Sequence, residues 1–379
     1  MSGRRQTLNR YIGALVCLFV FFACAKSTKN KSVSESNKSI PVEKKLEYAQ
    51  EFKIEKKGNV TRLSIHRKGE ENAFDTFQLV KGGIKNDGTG KTIKVPCKKI
   101  VCLSSTQLCY FFALDDVDDI IAINSSRYLQ HKKMKERLSN GQTKRIGKEG
   151  QFNLEMVAAL NPDVIFVSPF KAGGYDVLRN LGIPLVPMAA YNEQTPLGRA
   201  EWIKMMALFV GKEQQADSIF HGIEKRYNYL KELTSKVEKR PTVFSGKMRS
   251  GSWYVPGGNS FYAHYFRDAG ADYIINDNKQ GAYPVDFETI YSKASHCDYW
   301  RIIHPEKSGL TLAELGEQDP RYTDFDAFQK KNVLLCNIRE KAYYEQAGIK
   351  PDVLLADYIH YFHPDLLPNH TPYFYERLK

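Results

Sequence analysis

The chain has 379 residues, 42% of them hydrophobic and 26% charged, with a formal charge of +12. That composition supplies a folded core and excludes a polar, unfolded polymer. The basic excess comes with no Arg-rich helix and no basic stripe interleaved with aromatics, which argues against nucleic acid as a partner.

The chain opens with Arg4, Arg5 and Arg10 ahead of the apolar run Tyr11 to Ala23. About 13 apolar residues are too few to span a bilayer, which takes roughly 20, and they fit the core of an export signal. The run ends Phe21-Phe22-Ala23-Cys24, which resembles a bacterial lipobox with Phe21 in place of the usual leucine. Cys24 is the expected lipidation site, and residues 1–23 the signal peptide. Residues 24–46 are polar and lack an apolar period, so they are expected to form a disordered tether to the membrane. Without Arg4, Arg5 and Arg10 the charge falls from +12 to +9. Cys97, Cys102, Cys109, Cys297 and Cys336 have no CxxC spacing and are expected to be buried as small hydrophobes.

About 330 residues remain, enough for two domains. Phe52-Lys53-Ile54-Glu55 and Arg62-Leu63-Ser64-Ile65-His66 alternate as strands do, and Gly58-Asn59 between them predicts a hairpin. Asp87-Gly88-Thr89-Gly90-Lys91-Thr92 looks like a phosphate loop, but the motif needs glycine where Lys85 stands, and a strand follows it; no nucleotide site is expected.

From Lys99 the chain alternates strand and helix. Strands are predicted at Ile100–Leu103, Ile120–Ile123, Asp163–Val167 and Leu185–Met188. Helices are predicted from the Ser104-Ser105-Thr106 caps to Leu114, over Leu154–Leu160, and over Tyr175–Leu181. Two helical patterns follow, Leu197–Val210 and Glu213–Glu238, the second a stiff rod of roughly 39 Å. Strand–helix alternation then resumes. Strands are predicted at Thr242–Ser245, Ala271–Ile275, Asp298–Ile303 and Val333–Cys336. Helices are predicted from Asn259 or Ser260 to Ala269, over Phe287–Ala294 and Tyr322–Gln329, and from Asp352 to Tyr361. The fold class is α/β: two Rossmann-like lobes with mostly parallel sheets, joined by one long helix, with a short N-terminal β-hairpin extension. The expected divisions are an N-terminal lobe with the extension at 47–195, connecting helices at 196–240, and a C-terminal lobe at 241–379.

The order of several local patterns is similar to the class III, or metal-chelate, periplasmic binding proteins of ABC importers. They are Ile100-Val101-Cys102-Leu103-Ser104, Asn153-Leu154-Glu155 with Leu160-Asn161-Pro162-Asp163-Val164-Ile165, and Leu181-Gly182-Ile183-Pro184-Leu185-Val186. Trp253-Tyr254-Val255-Pro256-Gly257-Gly258-Asn259-Ser260, Asp268-Ala269-Gly270-Ala271 and Asp286-Phe287-Glu288 continue the series. The resemblance runs from about Lys99 to the C-terminus. It implies a binding protein for a ferric siderophore, haem or cobalamin held in the cleft between lobes, with no cofactor and no catalysis. It also implies that Glu155 and Glu288 dock on arginines of a membrane permease, and that the protein is a lipid-anchored monomer in the periplasm.

Ligands of open α/β sheets bind at the C-terminal ends of strands. That rule nominates Ser105, Thr106 and Gln107, Arg127 and Tyr128, Phe170 and Lys171, and Tyr191 with Asn192 in the first lobe. In the second it nominates Lys247, Met248, Arg249, Trp253, Tyr283 and His304, with Trp253 and Arg249 foremost. Two other readings stay open. A carrier of bare zinc or manganese would use histidines, and His360 and His363 lie three apart on the last helix, with His264, His296 and His304 elsewhere. A chelatase-like enzyme needs little motif, although GxSxG, HExxH and dinucleotide fingerprints are all missing.

Overall fold

The computed structural model describes residues 42–67, 72–82, 91–148, 151–169, 175–306 and 309–379. The signal, Cys24 and most of the expected tether lie outside the described residues, as do Phe170 and Lys171. Five N-terminal strands form one sheet in sequential order: β1 (Val42–Lys44), β2 (Phe52–Lys57), β3 (Val60–Ile65), β4 (Asp75–Lys81) and β5 (Thr92–Val95). The expected hairpin is β2–β3, closed by Gly58, whose φ of +61° a residue without Cβ adopts freely. It is embedded in a larger sheet than the sequence announced. β1 pairs with β2, so ordered chain begins inside the stretch assigned to the tether.

The N-terminal lobe holds β6 (Ile100–Cys102), α1 (Ser105–Ala113), β7 (Ile120–Ile123), α2 (Lys132–Ser139), β8 (Lys144–Arg145), α3 (Leu154–Leu160), β9 (Val164–Val167), α4 (Asp176–Arg179) and β10 (Leu185–Pro187). Its parallel sheet runs β10-β9-β6-β7-β8. Every residue of β6, β9 and β10 is buried, as expected of strands covered on both faces. The polar helix α2 escaped the sequence reading because Met134 is its one buried residue.

Two helices carry the chain across: α5 (Pro196–Val210) and α6 (Glu213–Thr234). The 22 residues of α6 span about 33 Å, shorter than expected because the helix ends at Thr234, not Glu238. α5 is buried around nearly its whole circumference, since α6 and the N-terminal sheet cover it; Phe52 meets Trp202 edge-on at 4.8 Å.

The C-terminal lobe comprises β11 (Thr242–Ser245), β12 (Met248–Arg249), β13 (Ser252–Pro256), α7 (Phe261–Asp268), β14 (Asp272–Tyr273), β15 (Ala282–Val285), α8 (Phe287–Ala294), β16 (Tyr299–His304), α9 (Leu312–Gln318), α10 (Asp326–Gln329), β17 (Val333–Asn337), α11 (Tyr343–Gln346), α12 (Pro351–Phe362) and β18 (Glu376–Arg377). Its main sheet runs β14-β11-β16-β17-β18, parallel except for the last strand. The stretch read as a loop after β11 is a hairpin, β12–β13, turning at Ser250 (φ +49°) and Gly251 (φ +81°) and extended by β15. The helix expected at Tyr322–Gln329 breaks at Phe325, so a 3₁₀ turn over Pro320–Asp324 precedes the single-turn α10.

All five described cysteines are buried free thiols. The core of the C-terminal lobe holds an aromatic patch: Trp253 lies 5.7 Å from Trp300, and Phe244 lies 5.3 Å from Trp300 and 4.9 Å from Phe325.

Candidate ligand cleft

The loops leaving β7 and β17 touch across the lobes. Glu345, 2% exposed, accepts the backbone N–H groups of Gln130 (2.8 Å) and His131 (3.1 Å). Gln130 Nε2 donates to the Arg339 carbonyl at 2.8 Å, and Arg339 donates to the Arg127 carbonyl. The Tyr128 ring meets Tyr344 edge-on at 4.9 Å, and the guanidiniums of Arg127 and Arg339 lie 5.3 and 5.4 Å from its centre. Burial pushes the Glu345 carboxyl up to about 7, against the opposing pull of the two amides and of Lys135.

A cavity of about 480 Å³ is lined by Tyr191, Asn192, Glu193 and Gln194 of the first lobe and by Asn259, Ser260, Phe261 and Gln280 of the second. Arg67 and Glu51 of the N-terminal sheet close it. Arg199 of α5 ties the two sides together: it donates to the Tyr191 carbonyl at 2.6 Å and stacks 3.6 Å from the centre of the Phe261 ring. A separate cavity of about 330 Å³ lies at the amino ends of the first lobe's strands, between β5 and the turns at Asn161–Asp163 and Leu181–Pro184. Open sheets bind ligands at the other end, so this second cavity is not the cleft.

The nominated residues fall into distinct environments. Arg127 and Tyr128 stand at the lobe junction, and Tyr191 lines the cavity with its hydroxyl 3.1 Å from Ser168 Oγ. Ser105 and Thr106 are half-buried at the start of α1, where Thr106 Oγ1 lies 2.9 Å from Ser104 Oγ. Gln107 is corrected to a structural role: it is 1% exposed, and its Oε1 accepts the N–H of Leu103 (2.7 Å) and of Ser104 (3.0 Å), closing the helix start. Trp253 is corrected likewise. It is fully buried, its Nε1 donates to the Ser245 carbonyl at 3.1 Å, and the ring fills the aromatic core behind the cleft.

Its neighbours on the hairpin are Lys247, whose Nζ donates to Gln318 at 3.0 Å and is held below the ordinary lysine range by burial, and the exposed Arg249. Gly246 stands at φ +104°, and a Cβ there would lie 2.1 Å from the Tyr254 carbonyl oxygen; only glycine lets the hairpin return so closely. Tyr283 donates to Asp277 beneath Lys279, and burial with that carboxylate pushes its phenol up to about 12. His304 is buried at the end of β16, opposite Asn337.

Arg199, Arg339 and Glu345, which tie the two sides together, were missed by sequence reasoning because their partners lie on distant elements.

Glu155 and Glu288 are exposed in the first turns of α3 and α8. Each helix is capped alike: Asn153 Oδ1 accepts from Met156 N at 2.9 Å, and Asp286 Oδ1 from Thr289 N at 2.6 Å. The Thr289 amide and hydroxyl hold the Asp286 carboxyl below its ordinary range. Glu288 lies 3.8 Å from Arg321, which itself pairs with Asp319 at 2.7 Å. His360 and His363 point to different carbonyls, of Leu367 at 3.4 Å and Gly270 at 3.0 Å, and so serve the packing of α12. Among the described residues no three His, Cys, Asp or Glu side chains converge on one point.

Residues 100–339 match the family described as periplasmic binding protein, which is more than half of the chain. An uncharacterized lipoprotein of Methanocaldococcus jannaschii, MJ0878, is 28% identical over 382 aligned positions, covering 92% of this chain and 88% of that one. In fold, the chain resembles the TroA-like periplasmic binding protein FepB from Veillonella parvula (TM-score 0.58, 18% identity, 77% of this chain and 99% of that one). It also resembles a periplasmic heme-binding protein from Pseudomonas aeruginosa (TM-score 0.58, 20% identity, 73% and 96%). Two lobes with parallel sheets, a helical connection behind them and a cavity at the strands' carboxyl ends agree with those matches: the chain belongs to the class III periplasmic binding proteins of ABC importers, which bind substrates and are not enzymes.

Proposed function

We propose that this protein captures a metal chelate (a ferric siderophore, haem or a corrinoid) between its lobes and delivers it to an ABC permease. The observation that carries the reading is the pair of capped acidic turns. Glu155 and Glu288 stand exposed in the first turns of two short, side-chain-capped helices, one in each lobe. Charge-assisted pairs of carboxylate with arginine are strong and geometrically specific, so two of them fix a docking register. The chelate class is supported by structural relatives named FepB and heme-binding. Export and lipidation at Cys24, with residues 1–23 removed, would place the lobes outside the cytoplasm and beside the permease. The relative named a lipoprotein supports that placement.

Titration of intrinsic fluorescence with haemin, ferric hydroxamate, ferric catecholate and cyanocobalamin tests ligand capture; saturation by one of them at submicromolar concentration is expected. Tight uptake of zinc or manganese with no chelate response would overturn it. Charge reversal at both Glu155→Lys and Glu288→Lys is expected to abolish uptake by cells while ligand affinity stays unchanged. Normal uptake by the double variant would sink the docking assignment.

A further inference from the structure

The central strand of the C-terminal sheet, β16, buries a cation. Arg301 is 4% exposed. Its Nε donates to the Tyr375 hydroxyl at 2.8 Å and Nη1 to Ser245 Oγ at 3.3 Å. Nη2 has no hydrogen-bond partner, and no carboxylate pairs with Arg301 among the described residues. An arginine stays protonated in a protein, and a buried charge without a counter-ion is costly.

Tyrosines crowd this charge on the side of Tyr262 and Tyr375. The guanidinium stacks 3.8 Å from the centre of the Tyr262 ring. The Tyr262 hydroxyl is 2.9 Å from that of Tyr343, which is followed by Tyr344, the residue that meets Tyr128 of the first lobe. Tyr262 also follows Phe261, which lines the cavity between the lobes. Burial holds the Tyr343 phenol well above its ordinary range, so it remains a neutral donor. A cation behind a phenol ring draws electron density from the hydroxyl and makes it a better donor to an anion. At the rim, Arg127 and Arg339 flank Tyr128 and form no ion pair among the described residues.

We propose that Arg301, acting through the half-buried Tyr262 whose hydroxyl the buried Tyr343 braces, makes this tyrosine cluster beside the lobe junction a receptor for an anionic oxygen of the ligand, so that the protein prefers negatively charged chelates to neutral ones of similar size. The inference rests on the chelate-binding reading and adds the charge class to it. Arg301 is a positioning residue: it tunes the phenols and does not itself touch the ligand.

The test compares full-length protein binding a trianionic ferric tris-catecholate with a neutral ferric tris-hydroxamate at low salt. Wild type is expected to favour the anion by about tenfold or more, a preference of about 1.4 kcal/mol. Arg301→Met loses that preference, Arg301→Lys keeps most of it, and Tyr262→Phe, which retains the ring, weakens the anion alone. Where Arg301→Met does not fold, the lysine and phenylalanine variants decide. Equal affinity of wild type for both complexes overturns the charge preference and leaves the chelate reading standing. Binding of neither overturns the charge preference, and titration with haemin and cyanocobalamin then decides the chelate reading. A Tyr262→Phe variant with the anion preference intact also overturns the proposal.

Discussion

Two buried carboxylates, Glu201 of α5 and Glu193 beside the cavity, show how single residues hold the extension in place. Glu201, fully buried in α5, accepts the backbone N–H groups of Tyr48 and Ala49 at 2.8 Å and the Lys204 ammonium at 2.6 Å. Glu193 accepts from Gln50 N at 2.9 Å and from Trp202 Nε1 at 3.0 Å. Residues 47–51 are thus fastened by acceptors that β-sheet pairing does not supply. Burial raises the Glu193 carboxyl, whereas the Trp202 and backbone donors pull it down. Glu201→Gln leaves the Lys204 charge buried without its counter-ion and is expected to cost about 3 kcal/mol. Urea unfolding at neutral pH checks this; a midpoint equal to wild type would show that the strap is dispensable. Lys204→Met/Glu201→Gln together should recover part of the loss.

At the scale of elements, α11 and the loop before α2 make a junction governed by one proton. Groups that face Glu345 include Cys109 of α1, His131 and Lys135. The Glu345 carboxyl titrates near 7 in the folded protein and at 4.5 ordinarily. A raised folded value means that the folded state binds the proton more tightly. The resulting stability is fully present below about pH 4.5 and is lost as pH rises through about 7. The loss is on the order of 3 kcal/mol. Glu345→Gln is expected to remove this component, so that the variant exceeds wild type in stability at pH 8 but not at pH 5. Thermal melts at the two values decide it, and parallel pH profiles for both proteins would refute the assignment.

For the whole molecule, the lobes are tied at several places: by α5 and α6 behind, by Arg199 beside the cavity, and by Glu345 and Arg339 at the junction. α12 returns from α11 to pack on α6; Arg226 pairs with Asp352 at 2.6 Å. Helices resist the large dihedral changes that hinge strands absorb. Ligand binding should therefore change the radius of gyration little. X-ray scattering with and without a bound chelate tests this, and a large compaction would contradict it.

Much of this architecture was legible from the chain alone. Strands such as Val164–Val167 and helices such as Phe287–Ala294 follow from local rules: unbroken apolar runs, a cap such as Asp286, a glutamate in the first turn. Those rules are local because backbone geometry and side-chain period are set within a few residues. Loops nominated by strand ends were partly legible too, since topology places Arg127, Tyr128 and Tyr191 at the lobe junction or cavity. Periodicity could not tell that Trp253 turns into the core while Tyr262 faces the cation Arg301. It gave no sign that Glu345 crosses to Gln130, 215 positions away. Burial of a charge and pairing across lobes depend on which distant elements meet, and only the tertiary structure decides that.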